Sequence, residues 1–101
     1  MIIHRKYGTA TTVEGVPLIT RGSADFKANP TLAAGDVKIS KDGGAYANLT
    51  TLPAVTPAGS RSVKGSLSAT EMTAAQITIL FVDQTSPKEW EDQEIKIETT
   101  D

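Results

Sequence analysis

Cysteine is absent from this 101-residue chain, so neither disulfides nor thiolate-bound metals can hold it together or do chemistry in it. Aromatic residues are scarce: Tyr7, Phe26, Tyr46, Phe81 and Trp90 are all there are. The core must therefore be assembled mainly from Val, Ile, Leu and Ala, and a deep aromatic-lined ligand pocket is not expected. His4 is the one histidine, and with no cysteine to join it a tetrahedral zinc site cannot be completed. No apolar run is long enough for a membrane helix. The opening MIIHRKYGTATT carries its charges after the apolar pair with no apolar stretch behind them, unlike a secretory signal, so synthesis in the cytosol is expected. Internal repeats and low-complexity blocks are also missing.

Several catalytic classes lose their support in the same way. A Ser-His-Asp set is present in composition, but no nucleophile-elbow pattern accompanies it. The glycines form neither a phosphate-binding loop nor a dinucleotide fingerprint. Around KDGG and AAGD the aspartates lack the D-x-D-x-D spacing of a calcium loop, and turn chemistry accounts for Asp36 and Asp42. The carboxylates Glu89, Glu91, Asp92, Glu94 and Glu98 are dense enough to raise glycoside hydrolysis. On a strand, however, Glu89 and Glu91 share one face while Asp92, Glu94 and Glu98 share the other, and few aromatics remain to form a sugar platform. A solvated strand whose charges discourage edge-to-edge aggregation is the simpler reading. The expectation is a protein that is not an enzyme, with no cofactor, no metal and no small-molecule substrate.

Ten Lys and Arg against twelve Asp and Glu give no electrostatic reason to expect nucleic acid or an anionic membrane. The charges are unevenly spread: residues 1–64 hold eight basic and four acidic side chains, residues 65–101 two basic and eight acidic. Either oppositely charged strands lie together within one fold, or the acidic end of one copy meets the basic end of another.

What is present is a strand pattern. In DVKISKDGGAYANL, Val37 and Ile39 point one way and Lys38 and Ser40 the other, the period of a half-buried strand. Asp42, Gly43 and Gly44 then reverse the chain as a structural turn, because glycine supplies the positive φ of tight hairpins. VPLITRGSADF reads as a strand with a bulge at Gly22, Tyr46 to Leu52 as the return strand, and SRSVKGSLS as another. Ser68 and Glu71 form a capping-box pair, which predicts one short helical turn near residues 69–73. QITILFVDQ is the most apolar run and suits a central strand, while WEDQEIKIETT closes the chain. About six to seven strands with frequent turns predict an all-β fold, a small antiparallel sandwich. Its expected core is Leu18, Ile19, Phe26, Val37, Ile39, Leu49, Val63, Leu67, Met72, Ile77, Ile79, Phe81, Trp90, Ile95 and Ile97.

Residues 1–15 show little apolar periodicity and read as an extended N-terminal arm ahead of a β-sandwich domain over 16–101. Such a segment frays unless tied down, so Met1, Ile2, Ile3, His4, Arg5, Lys6 and Tyr7 are the candidate interface through which it docks.

The run GSADFKANPTLAAGDVKISKDGGAYANLTTLP, with LSATEM and the acidic EDQEIKIET, resembles a family of small proteins encoded by tailed bacteriophages. The likeness spans roughly residues 16 to 100. It implies an immunoglobulin-like sandwich with no enzymatic role, a virion component associated with the tail or fibre or decorating the capsid. Its partners would be other virion proteins or further copies of itself as a homo-oligomer, and it would be made in the host bacterial cytoplasm. The alternative is a free-standing adhesion or carbohydrate-binding module.

Overall fold

Alternating apolar residues become strands with one face on a shared core. The computed structural model describes residues 2–100 and contains no helix among them. Its strands are β1 (Ile2–Lys6), β2 (Thr11–Pro17), β3 (Val37–Lys41), β4 (Ala47–Asn48), β5 (Ala54–Val55), β6 (Ser62–Leu67), β7 (Gln76–Phe81) and β8 (Gln93–Thr100). They form two sheets, one ordered β1-β8-β7-β3-β4 and the other β2-β6-β5. The fold class is thus all-β and sandwich-like, with eight strands, of which β4 and β5 are only two residues long.

Each long strand shows its logic in register. Ile39 faces Ile79 across β3 and β7, and Ile79 faces Ile95 across β7 and β8, so three isoleucines stack on the inner face. Ile77 pairs with Ile97 one step along. Val63 and Leu67 of β6 supply the opposing layer, with Leu18, Met72 and Trp90 filling between. Burying each large apolar side chain stabilises the fold by about 1.5 to 3 kcal/mol.

Several expectations are corrected. Residues 2–15 are not an extended arm outside the sandwich: β1 pairs with β8, β2 pairs with β6, and Val13 is buried in the core. The β1–β8 pair is parallel, so the sandwich is not wholly antiparallel. At Gly15, φ 70°, the β2–β6 register shifts between Val13 and Val16. The bulge brings both valines to the core although they are three residues apart. Ile19 and Phe26 are exposed rather than buried, because they bridge to one another in a small hairpin beyond the end of β2. The VPLITRGSADF segment therefore begins as the end of β2 and continues as loop, and the return strand shrinks to β4. Residues 69–72 form a hydrogen-bonded turn. Its capping box is made, with Glu71 N–H donating to Ser68 Oγ (3.1 Å) and Ser68 N–H to Glu71 Oε1 (2.8 Å).

The predicted turn at Asp42 is present. Asp42 (φ 51°) and Gly43 (φ 77°) both lie in the left-handed region, and Gly44 N–H donates to the Lys41 carbonyl at 2.9 Å. This is the mirror-image turn that matches strand twist. Asp42 also lengthens the β3–β7 ladder: its N–H donates to the Gln76 carbonyl, and its Oδ1 accepts from Gln76 N–H at 2.9 Å.

Register places the connections at two ends. Short turns after β1, β3 and β6 gather at one end, where Gly8 N–H donates to the Met72 carbonyl and Lys41 Nζ to the Thr70 carbonyl. The long loop 18–36, the turn 56–61 and the segment 82–92 gather at the other.

Candidate functional site

Of the candidate interface residues, Ile2 to Lys6 form β1, Tyr7 follows it in a turn, and Met1 lies outside the described residues. Alternation splits them between two faces. Ile3, opposite Ile97, turns inward and packs against the core. Ile2, His4 and Lys6 lie on the outer face with Lys96, Glu98 and Thr100 of β8. Ile2 is 60% exposed, and Tyr7, just past the strand, is 51% exposed. His4 Nδ1 stands 4.0 Å from Glu98 Oε2. Arg5 donates from its guanidinium to the His4 carbonyl at 2.8 Å. The uneven charge of the chain is matched in cis at Arg21, which pairs with Glu91 at 2.8 Å.

The loop-built end is fastened by buried polar groups. Trp90, fully buried, donates from its indole N–H to the Thr31 carbonyl at 3.2 Å. The buried Asp83 accepts N–H bonds from Thr85 (2.9 Å) and Glu89 (2.7 Å), closing the segment that precedes Trp90. Burial pushes the Asp83 carboxyl up, and the N–H groups of Glu89, Thr85 and Trp90 with the Thr85 hydroxyl pull it down further, leaving it below the ordinary aspartate range. Asp36, also buried, accepts from Ala33 and Gln84 and so ties loop 18–36 to the chain after β7. Glu91 accepts from Gly22 N–H at 3.0 Å; that bond, opposed by burial and joined by Arg21 and Lys88, lowers its carboxyl as well. On this anchored end, Phe26 (49% exposed) and Ile19 (36% exposed) present apolar surface to solvent. Neither was placed on the surface by the sequence pattern, which reads both as core.

A third feature is an open depression of about 270 Å³ on the outer face of the larger sheet. Leu80 and Val82 form its apolar part, with Tyr46, Lys38 and Gln84 around it. The period-two pattern implies an outward Leu80, but nothing in the sequence signals that Tyr46 would stand beside it. The carboxylates of the closing segment do not converge: Glu91 is engaged by Arg21 and Gly22, while Asp92 pairs with Lys88 at 2.7 Å. Among the described residues no group of three or more His, Cys, Asp or Glu side chains is placed to hold a metal. No protein-family model, curated protein or solved structure matches this chain.

Proposed function

We propose that this chain is a non-enzymatic structural protein of a bacteriophage virion, associated with the tail or fibre or decorating the capsid, and that it acts through protein–protein contacts. One observation carries the reading. The buried carboxylates Asp36, Asp83 and Glu71 are each bonded to backbone N–H groups and hold loops in place, while the large apolar side chains outside the core stand on solvent-facing positions. Such a surface is suited to contact rather than to proton transfer. The likeness of residues 16–100 to small phage proteins points the same way.

The finer architectural reading is immunoglobulin-like. In its support, a central β8-β7-β3 group faces a β2-β6-β5 sheet, and the chain crosses between the sheets from β2 to β3 and from β6 to β7. The Met72 N–H bond to the Ser68 carbonyl, four residues back, supports the short helical turn. Mass spectrometry of purified particles from the phage encoding the chain tests the function. The chain should appear at a fixed ratio to the major structural proteins, and its absence from washed particles overturns the reading. The alternative, a carbohydrate-binding or adhesion module, rests on Tyr46 beside the outer-face depression. It would gain ground if simple glycans perturbed Tyr46 and Leu80 saturably.

A further inference from the structure

A β-sandwich of two open sheets has four edge strands, and an unprotected edge is a template for another chain. Three of the four are blunted here. β4 and β5 are two residues long, and β2 is broken by the bulge between Val13 and Val16 and ends at Pro17. β1 is five residues long, paired with β8 in unbroken register, and contains neither proline nor glycine.

Backbone hydrogen bonds fix which groups of β1 face outward. Tyr7 N–H donates to the Thr100 carbonyl, and Thr100 Oγ1 donates to the Arg5 carbonyl, so the odd-numbered residues direct their polar groups toward β8. By alternation, Ile2, His4 and Lys6 direct theirs to the side away from β8, where the Lys6 carbonyl already accepts the N–H of Thr9 in the following turn at 3.4 Å. The His4 carbonyl on that side takes a hydrogen bond from the Arg5 guanidinium, in the place a neighbouring strand's N–H would occupy. Arg5 and Lys6 have no carboxylate within 4.0 Å among the described residues.

We infer that β1 is the docking edge for an extended acidic segment of a partner protein, which adds as a sixth strand to the larger sheet. Backbone bonds to Ile2, to His4 and to the Lys6 N–H supply the pairing, as in other strand-addition complexes. Carboxylates on the incoming strand meet Arg5 and Lys6, and an apolar residue covers the exposed Ile2. A second copy docking β1 against β1 would instead crowd His4, Arg5 and Lys6 against their own kind, which disfavours that occupant. The inference rests on the reading that the chain works through protein contacts.

The test uses the full chain labelled with nitrogen-15 and a capped Val-Val-Glu-Glu-Val-Val peptide, whose two adjacent carboxylates fall on opposite faces of the added strand as Arg5 and Lys6 do on β1. Addition of the peptide should shift the amide signals of Ile2, His4 and Lys6 and slow their hydrogen exchange. The Arg5→Glu, Lys6→Glu double variant should bind it about tenfold more weakly and bind a lysine–valine peptide instead. Unchanged signals from β8 show that β1 is still docked in the variant. The inference is overturned if millimolar acidic peptide leaves β1 unperturbed, if the lysine–valine peptide binds the native chain as well, or if a single-stranded oligonucleotide is preferred. It is overturned too if Arg5→Ala, Lys6→Ala merely causes self-association, since the charges then serve only to guard the edge. The two failures are separable: a chain missing from particles removes the virion reading, whereas a silent β1 removes the docking edge and leaves the particle result standing.

Discussion

Replacing Asp83 by asparagine tests whether the loop-built end is held by a charge. The carboxylate accepts bonds from Thr85 and Glu89, one on each oxygen, inside a buried site. Asparagine keeps one acceptor and turns its amide N–H₂ toward the other donor, so one charge-assisted bond is lost and a backbone N–H is orphaned. A bond to a charged group contributes about 1.5 to 3 kcal/mol, which sets the expected loss for Asp83→Asn at about 2 to 3 kcal/mol near neutral pH. The sign of the pH dependence follows from the lowered carboxyl. Its contribution is fully present above the unfolded-state value of about 3.9 and is lost as pH falls through the lower folded-state value. Urea denaturation followed by circular dichroism should therefore show a wild-type advantage that is constant near neutrality and shrinks in acid below about pH 3.9. An advantage under about 0.5 kcal/mol at neutral pH, or one unchanged down through the acid range, would refute the assignment of Asp83 as a charged clasp.

Other expectations concern turn, core and surface. Gly43→Val places a β-branched residue at φ 77° and should cost about 1 to 2 kcal/mol or more. Gly44→Val should cost less, since Gly44 is outside the left-handed region, and its cost comes from the new Cβ pressing on the Lys41 carbonyl oxygen at 3.1 Å. Equal thermal melts for the two variants would contradict that ordering. Ile79→Ala, at the centre of the isoleucine stack, should lower stability by about 2 to 5 kcal/mol, and a denaturant-derived loss below about 1 kcal/mol would remove it from the core. Phe26→Ser should leave stability within about 0.5 kcal/mol of wild type, because the side chain is already half exposed; a larger loss would place it in a packed site.

The inner strands were readable because their apolar residues alternate without interruption: Val37 and Ile39, Val63 and Leu67, Ile77 to Phe81, and Ile95 with Ile97 all sit where the period of two puts them. The first two strands were not. β1 turns a single apolar residue, Ile3, inward, so a strand at the edge shows little periodicity, and the bulge at Gly15 breaks the alternation of β2 between Val13 and Val16. A segment whose pattern is diluted by an edge or interrupted by a bulge resembles an arm even when it is part of a sheet. Ile19 and Phe26 fail for the opposite reason. Their apolar character suggests burial, but the chain leaves the sheet at Pro17 and the two meet only each other across a loop hairpin. Of the candidate interface, the residue types of β1 were legible, whereas its exposure as the one long unblunted edge depends on what happens to β2, β4 and β5.

The parallel pairing of β1 with β8 joins the two extremities of the described chain side by side. Tension applied through those extremities draws the two strands along their lengths in opposite directions. The evenly spaced bonds of a parallel pair then carry the load together, in shear, instead of parting one after another as in an unzipped hairpin. Mechanical failure of the domain accordingly requires several bonds to break at once, and the grip of one terminal strand on the other sets the force it withstands.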